Sequence, residues 1–230
     1  MQKTTSNAGA LVLLSGGQDS TTCMYWAVDT FGKETRAIGF NYGQRHAIEL
    51  TLAEQNAKAV GVPFVVKDVR GLLTSSSLTD GRGDHNTNSQ VNPDLPASFT
   101  AGRNLLFLTI AASFAAEHGI KDIVTGVCQT DFSGYPDCRR TTMDAMQLAL
   151  SLGLGIGDVR IHTPLMYMTK AETWKMAADL GCLDTIVRNT MTDYNGNTTP
   201  NAWGMGVEDN PASKLRAAGY REAVEKGWIQ

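Results

Sequence analysis

Residues 15–22 hold a glycine pair, a carboxylate and several hydroxyls. The apolar runs 11–14 and 24–28 flank them, a pattern that predicts a buried strand, a tight turn and a helix. Adjacent glycines let the backbone approach a ligand, and the first N–H groups of a helix form an anion site. Asp19 would oppose a bare phosphate unless a cation such as Mg²⁺ lies between them. The turn therefore predicts binding of phosphate together with a cation.

The turn matches neither of two common phosphate motifs, because no Gly-Lys-Ser/Thr follows and Gly-x-Gly-x-x-Gly is absent. Residues 15–20 read Ser-Gly-Gly-Gln-Asp-Ser and resemble the pyrophosphate loop of the ATP pyrophosphatases. That resemblance implies cleavage of ATP between its α- and β-phosphates, with a substrate oxygen activated as an adenylate. The alternative is a Gly-Gly turn that merely connects a strand and a helix. The six matched positions disfavour it.

Further polar segments follow predicted strands or open predicted helices. Residues 42–46 follow one strand, and residues 129–140 follow another with a dense set of carboxylates, guanidiniums, a hydroxyl and a phenol. Arg103 and Asn104 open a helix, and Lys170 opens another behind a capping box. Ligands of parallel sheets bind at the carboxyl ends of the strands, so we expect these groups to meet there. For Lys170 and the charges in 42–46, a solvated helix start is the alternative.

Short apolar runs alternate with helical patterns, which predicts an α/β fold: a parallel sheet with helices on both faces. The expected strands are 11–14, 37–40, 64–66, 121–126 and 161–165. Helix 105–112 is apolar on nearly every side and is expected to be buried.

Three parts are expected along the chain: a loose N-terminus at 1–9, a catalytic domain at 10–189 and a small irregular and helical appendage at 190–230. Residues 71–98 are polar and show no hydrophobic periodicity. A loop of that length predicts a lid or substrate loop, with plain disorder as the alternative.

The composition is that of a soluble globular protein, with 42% hydrophobic and 19% charged residues. A net charge of −3 argues against a broad nucleic-acid surface. No apolar run is long enough for a membrane span, and residues 1–9 lack a signal-peptide core. The four cysteines are scattered without a Cys-x-x-Cys pair, so spacing suggests neither a disulfide framework nor a zinc site. A cytoplasmic location is expected.

Along nearly its full length the chain resembles the 7-cyano-7-deazaguanine synthase (QueC) family. The run Asp-Phe-Ser-Gly-Tyr-Pro-Asp-Cys-Arg at 131–139 is highly specific to it. The other resembling stretches are 14–24, 40–46 with Glu49, Arg103-Asn104 and the helix after it, 125–130, 163–181, 187–189 and 194–196. The resemblance implies a Rossmann-like fold of the adenine nucleotide alpha hydrolase type and a homodimer.

The family's chemistry implies a ligase that forms carbon–nitrogen bonds. ATP and Mg²⁺ adenylate 7-carboxy-7-deazaguanine, ammonia displaces AMP to give an amide, and a second ATP activates the amide oxygen so that loss of AMP leaves the nitrile. The product feeds queuosine and related 7-deazaguanine modifications, so nucleic acid is involved only indirectly.

The resemblance also implies roles for individual residues. Asp19, Lys170 and Arg103 are the expected catalytic residues, with Asp19 holding Mg²⁺. Asp131, Ser133, Tyr135, Asp137 and Arg139 are expected to bind the deazaguanine. The expected ATP-binding residues are Leu14, Ser15, Gly16, Gly17, Gln18, Asp19, Ser20, Thr21, Thr22, Tyr42, Gln44, His46, Arg103, Asn104 and Gly126.

One departure from the family is large. Its members usually carry four zinc-binding cysteines around the Tyr-Asn-Gly segment and before a Leu-Arg pair, whereas here residue 193 is Asp and residues 206–214 contain no cysteine. No zinc is expected, because a four-thiolate site cannot form. The tail is then expected to be stabilised by packing around Trp203 or by contact with a protein partner.

The changed tail leaves alternatives open. The chain either makes the nitrile as its family does, or stops at the amide, or joins the activated carboxylate to another amine, for example on a macromolecule. A non-catalytic nucleotide-binding partner is a further alternative. A tRNA-thiolating enzyme would need catalytic cysteines and a basic surface. An amidotransferase would need a glutaminase domain for which the chain has no room.

Overall fold

A computed structural model describes residues 9–43, 48–73, 88–89, 91–130, 134–193 and 196–230. Five parallel strands form one sheet in the order β3-β2-β1-β4-β5, the doubly wound order of a Rossmann-like fold. The strands are β1 (Ala10–Leu13), β2 (Arg36–Asn41), β3 (Phe64–Asp68), β4 (Asp122–Val124) and β5 (Arg160–His162). Leu11 pairs with Arg36 on one side and Ile123 on the other, which puts β1 at the centre.

Helices cover both faces of the sheet. On one face, α1 (Gln18–Phe31) and α2 (Ile48–Ala59) pack on Val12 and Leu14. On the other face, α3 (Arg103–Glu117) and α4 (Arg140–Gly153) pack on Leu11 and Ile123. The alternation of side chains along β1 produces this division, because successive residues of a strand point to opposite faces. The predicted α/β class is confirmed.

Helix α3 is less buried than its sequence suggested. Phe107, Leu108 and Ala111 face the core, whereas Leu105 is 37% exposed and the intervening Thr109 is exposed. The prediction of burial on all sides was wrong, because this helix covers the outer face of the sheet and only one of its sides meets the strands.

The C-terminal segments form a third core. Helix α5 (Lys170–Asp179) packs against α7 (Pro211–Glu225), with α6 (Leu183–Arg188) and the short hairpin strands β6 (Pro200–Asn201) and β7 (Gly204–Met205) beside them. Trp174, Ile186 and Trp203 are the large buried side chains of this core. Packing around Trp203 was predicted, whereas α6 and the hairpin were not.

A buried polar cluster ties the appendage together at the position where the family's cysteines are missing. Asp193 is 1% exposed, and its Oδ2 accepts from the Val207 N–H at 3.1 Å and from Ser213 Oγ at 3.2 Å. Asn210 caps α7 by accepting from the Ser213 N–H at 3.0 Å. Hydrogen bonds to a charged acceptor are the stronger kind. This cluster stabilises the turn that precedes α7.

The predicted capping box at the start of α5 is confirmed. Thr169 and Glu172 exchange the two hydrogen bonds of a capping box at α5, at 2.7 and 3.2 Å. Pro211 occupies the first turn of α7.

All four cysteines are free thiols, as their spacing indicated. Within the described part of the chain, no helix combines the length and the apolar character of a membrane span. Residues 74–87 and 90 of the predicted lid or substrate loop, and residues 1–8 of the N-terminus, lie outside the described residues.

Candidate active site

The pyrophosphate loop connects β1 to α1 at the carboxyl edge of the sheet. Within the part of the chain that the structure describes, no side chain caps α1, whose N-cap is Gly17, so the N–H groups of its first turn face the space beyond the strand. The loop is fixed from within, since Ser20 Oγ accepts from the Ser15 N–H at 3.1 Å and lies 3.0 Å from Ser15 Oγ. The free N–H groups and the helix dipole make this turn an anion site.

Two glycines are required by close approaches around this loop. Gly16 has φ +88°, and a Cβ there would lie 2.1 Å from the Glu49 carbonyl oxygen of α2. Gly126, which follows β4, faces the start of α1, where a Cβ would lie 3.0 Å from the Ser20 nitrogen. The start of α2 and the end of β4 therefore press directly on the loop, and larger residues would push it out of place.

Asp19 and Lys170 form an ion pair across the site. Lys170 Nζ lies 3.0 Å from Asp19 Oδ1 and 2.8 Å from Oδ2. The Asp19 side chain remains 26% exposed. Asp19 lies in the first turn of α1 and Lys170 in that of α5, so two helix starts converge on one point. The predicted reach of Lys170 back to the loop is thus present in the geometry.

The fit of Asp19 to Mg²⁺ depends on the phosphates it would share. Among the described residues, no group of three or more His, Cys, Asp or Glu side chains is placed to hold a metal ion. Mg²⁺ in nucleotide sites is commonly bound by one or two carboxylates plus substrate phosphates. Asp19 beside an anion-binding helix start fits that arrangement.

A second cluster lies beside the loop and contains Arg103, Tyr42 and Glu49. The Arg103 guanidinium lies 5.8 Å from the centre of the Tyr42 ring and hydrogen-bonds to its phenol. Burial raises the pKa of Glu49 to about 7, although the positive charge of Arg103 opposes that shift. Burial also raises the pKa of Tyr42. An acid with a pKa near neutrality is a feature of catalytic sites.

The turn after β4 is built around Asp137 and Tyr135. The buried Asp137 accepts from the Asn104 N–H at 3.1 Å, so it anchors the start of α3, and Asn104 Nδ2 lies 3.3 Å from Cys138 Sγ. Tyr135 Oη lies 2.7 Å from Ser98 Oγ, with the Phe99 ring 5.5 Å away. The structure thus brings this turn, α3 and residues 98–99 together.

Other predicted ligands have different surroundings. Thr22 is buried and donates to the Gln18 carbonyl at 2.9 Å, while the buried Thr21 Oγ1 and Gln18 Nε2 have no hydrogen-bond partner among the described residues. Leu14 is buried, and its N–H donates to the Ile38 carbonyl at 2.9 Å. The exposed Arg139 lies with Nη2 3.5 Å from the Gly134 carbonyl of its own turn.

Four predicted ligands cannot be placed: Gln44, His46, Asp131 and Ser133 lie outside the described residues, as does Arg45. Their roles remain predictions.

Sequence reasoning assigned no role to several residues that touch the loop or Lys170. Met191 donates from its N–H to the Gly16 carbonyl at 3.1 Å, and Gly219 of α7 lies against the stem of Lys170. A glycine inside an otherwise regular helix is a usable signal for a close approach. Met191 contributes only its backbone, which leaves no signal in the residue type.

Comparison with known proteins extends this picture beyond the site. The family model described as "Queuosine biosynthesis protein QueC" matches residues 9–224. A "7-cyano-7-deazaguanine synthase" of Caulobacter vibrioides is 44% identical over 93% of this chain and 92% of its own length. A second protein of that name, from Lysinibacillus sphaericus, is also 44% identical, over 93% of this chain and 94% of its own.

Solved structures resemble the chain more distantly. The NH3-dependent NAD synthetase of Campylobacter jejuni has a TM-score of 0.48 at 14% identity and covers 80% of this chain and 69% of its own. The U34-tRNA thiolase NcsA of Methanococcus maripaludis has a TM-score of 0.49 at 14% identity and covers 96% and 71%. The match to the family model and the 44% identity to two synthases together decide the assignment: the chain belongs to the QueC family.

Proposed function

We propose that this chain is a 7-cyano-7-deazaguanine synthase that converts 7-carboxy-7-deazaguanine to the nitrile with ATP and ammonia. The observation that carries the proposal is the Asp19–Lys170 pair at the uncapped start of α1. It places a carboxylate for Mg²⁺ and a cation for phosphate charge at one point of the sheet edge, in a chain of this family.

The first step forms an adenylate. The substrate carboxylate attacks the α-phosphorus of ATP, and the bond to the β-phosphate breaks with release of pyrophosphate. The N–H groups at the start of α1 hold the departing pyrophosphate, and Asp19 would hold Mg²⁺, which would offset the pyrophosphate charge. Lys170 is displaced from Asp19 toward the phosphates and stabilises the developing negative charge together with Arg103.

The later steps form the carbon–nitrogen bonds. Ammonia adds to the adenylated carbonyl, and AMP leaves to give the amide with loss of one proton. A second ATP adenylates the amide oxygen with release of pyrophosphate, and loss of AMP together with both amide protons leaves the nitrile. Both activations use the same pyrophosphate loop, so they require the same residues.

The deazaguanine is proposed to bind at the turn after β4. Tyr135 offers a ring for stacking, beside Phe99. Asp131, Ser133 and Arg139 are proposed to contact the base or its carboxyl group. One oxygen of Asp137 already accepts from the Asn104 N–H, so Asp137 serves the substrate with its other oxygen while it anchors α3.

The test supplies 7-carboxy-7-deazaguanine, ATP, Mg²⁺ and ammonium to the purified chain and follows products by mass spectrometry. Nitrile with two AMP per turnover is expected. Amide alone, or no product without an added macromolecular amine, would contradict the proposal and favour a specialised homologue. Asp19→Asn should form no AMP, whereas the matched control Asp179→Asn, an exposed aspartate of α5, should behave as the parent.

A homodimer is also proposed, from the family resemblance alone. Sedimentation equilibrium should give twice the chain mass of 24.8 kDa. A mass that stays at one chain over the accessible concentration range would contradict it.

A further inference from the structure

Arg216 of α7 is a fully buried cation held by neutral oxygens. It is 0% exposed, and its guanidinium donates to the Trp203 carbonyl at 2.9 Å and the Ile186 carbonyl at 2.8 Å. Nη1 donates to Thr192 Oγ1 at 2.9 Å. None of the ion pairs in the described ranges includes Arg216. Burying a charged side chain without a carboxylate partner costs free energy of folding. We therefore expect the buried Arg216 guanidinium to serve a function.

Arg216 hydrogen-bonds to residues 190 and 192, which flank the residue that contacts the pyrophosphate loop. Nη1 also lies 3.5 Å from the Thr190 carbonyl, so the guanidinium contacts residues on both sides of Met191. The Met191 N–H donates to the Gly16 carbonyl at 3.1 Å. A Cβ at Gly17 would lie 3.3 Å from the Met191 carbonyl oxygen. Movement of this segment would therefore move the loop.

The same helix also approaches the second catalytic group. Gly219, three residues after Arg216, packs so closely on Lys170 that a Cβ there would lie 2.7 Å from the Lys170 Cβ. The charges of Arg216 and Asp19 interact as well. Burial lowers the pKa of Arg216 to about 10, and the negative charge of Asp19 opposes that shift. The guanidinium stays protonated at neutral pH, so a positive charge is held behind the anion site.

We propose that Arg216 is a positioning residue for ATP: it fixes residues 190–192 beneath the pyrophosphate loop, and its charge favours the bound phosphates. This proposal rests on the proposed function, in which that loop binds pyrophosphate. It makes the C-terminal appendage part of the nucleotide site, although no side chain of the appendage touches the substrate in this scheme.

The experiment compares Arg216→Met and Arg216→Lys with the matched control Arg221→Met. Arg221 lies on the same helix but is exposed and pairs with Glu208. For Arg216→Met we expect the KM for ATP and the Kd for a non-cleavable ATP analogue to rise about tenfold or more, equivalent to 1.4 kcal/mol or more. Arg216→Lys should recover part of that loss because the charge returns. Arg221→Met should change neither constant.

A purely structural role gives a different result. Loss of folded protein lowers the apparent kcat and the number of binding sites, but leaves the KM and the Kd of the folded fraction unchanged. Unaltered constants in Arg216→Met would therefore overturn the proposal. If that variant does not fold, Thr192→Val removes one contact of the guanidinium with little change in shape, and an unchanged Kd there would overturn it instead.

The analogue Kd also separates this proposal from the proposed function. It is an equilibrium measurement that needs no turnover and no deazaguanine. Failure of the parent protein to form nitrile would defeat the proposed function. An unchanged Kd in Arg216→Met, or in Thr192→Val if Arg216→Met does not fold, would defeat the role of Arg216.

Discussion

Two aspartates at opposite edges of the same sheet are paired with cations in different ways. Asp122, at the amino end of β4, accepts from Arg160 Nε and Nη2 at 2.8 and 2.9 Å and lies 2.8 Å from His162 Nε2. Its side chain is 3% exposed. Asp19, at the carboxyl edge, is paired with Lys170 and is 26% exposed.

The difference separates a structural carboxylate from an available one. The oxygens of Asp122 are occupied and closed off, so it holds β4 to β5 and accepts nothing further. Asp19 keeps exposed surface, and its partner is a flexible lysine that can move when phosphate arrives. An aspartate that can exchange its partner suits metal and phosphate chemistry, whereas one with fixed partners suits stability.

Replacing Asp19 should have the largest effect on activity. Asp19→Asn removes the negative charge that is proposed to hold Mg²⁺, and we expect the rate of pyrophosphate release to fall by about 100-fold or more. The melting temperature should change little, because the side chain is partly exposed. Pyrophosphate release and calorimetry test this directly, and near-parental turnover would remove Asp19 from the mechanism.

Replacing Asp122 should have the opposite result. Asp122→Asn leaves Arg160 and His162 without their shared carboxylate, and we expect a loss of about 2 kcal/mol in the free energy of unfolding. That figure lies below the roughly 3–5 kcal/mol of a broken, fully buried pair, because Arg160 is half exposed. Turnover at 25 °C should be retained. Urea titration measures the loss, and a variant as stable as the parent would show that this edge is not held by Asp122.

The pH dependence of stability gives Asp122 a signature of its own. Burial raises the pKa of this carboxyl, but hydrogen bonds from His162 and Arg160 outweigh burial and hold it below the ordinary 3.8. Its stabilisation is therefore complete above that value and is lost as the pH falls through the lower pKa of the folded state. Asp122→Asn should flatten the acid limb of the stability curve, which urea midpoints from pH 2 to 5 would record.

Crowding Lys170 should have a smaller effect, confined to the carboxyl edge. The Cβ of Gly219→Ala would meet the Cβ and backbone of Lys170, neither of which can swing aside. We expect kcat to fall about tenfold while stability holds, since alanine favours a helix by up to about 1 kcal/mol. Gly153→Ala in α4 meets nothing within 4 Å and is the matched control. Equal activity of the two variants would contradict a requirement for this close packing.

The two edges were also unequally predictable from sequence. The pyrophosphate loop, the capping box at Thr169 and the convergence on the sheet edge follow from local patterns, because strand ends and helix starts leave signals in residue type. The Asp122 cluster joins strands that are far apart in the chain, and nothing in its spacing distinguishes it from surface charge. Met191 acts through its backbone, and Arg216 lies in a tail whose family pattern is altered. Those contacts require the tertiary structure.

Glu49 provides the clearest contrast in sign with Asp122. Burial raises its pKa from 4.5 to about 7, so between those values the folded chain binds a proton that the unfolded chain releases. Stability attributable to Glu49 should therefore fall as the pH rises from about 4.5 to 7 and then level off, the reverse of Asp122. Glu49→Gln should abolish that slope, while Glu54→Gln, an exposed position on the same helix, should keep it. Urea midpoints at pH 5, 6 and 7.5 measure this slope.

An identical slope in both variants would mean that Glu49 is ionised throughout this range. The carboxyl edge would then carry two negative charges beside the phosphate site, and Arg103 would be needed to neutralise one of them.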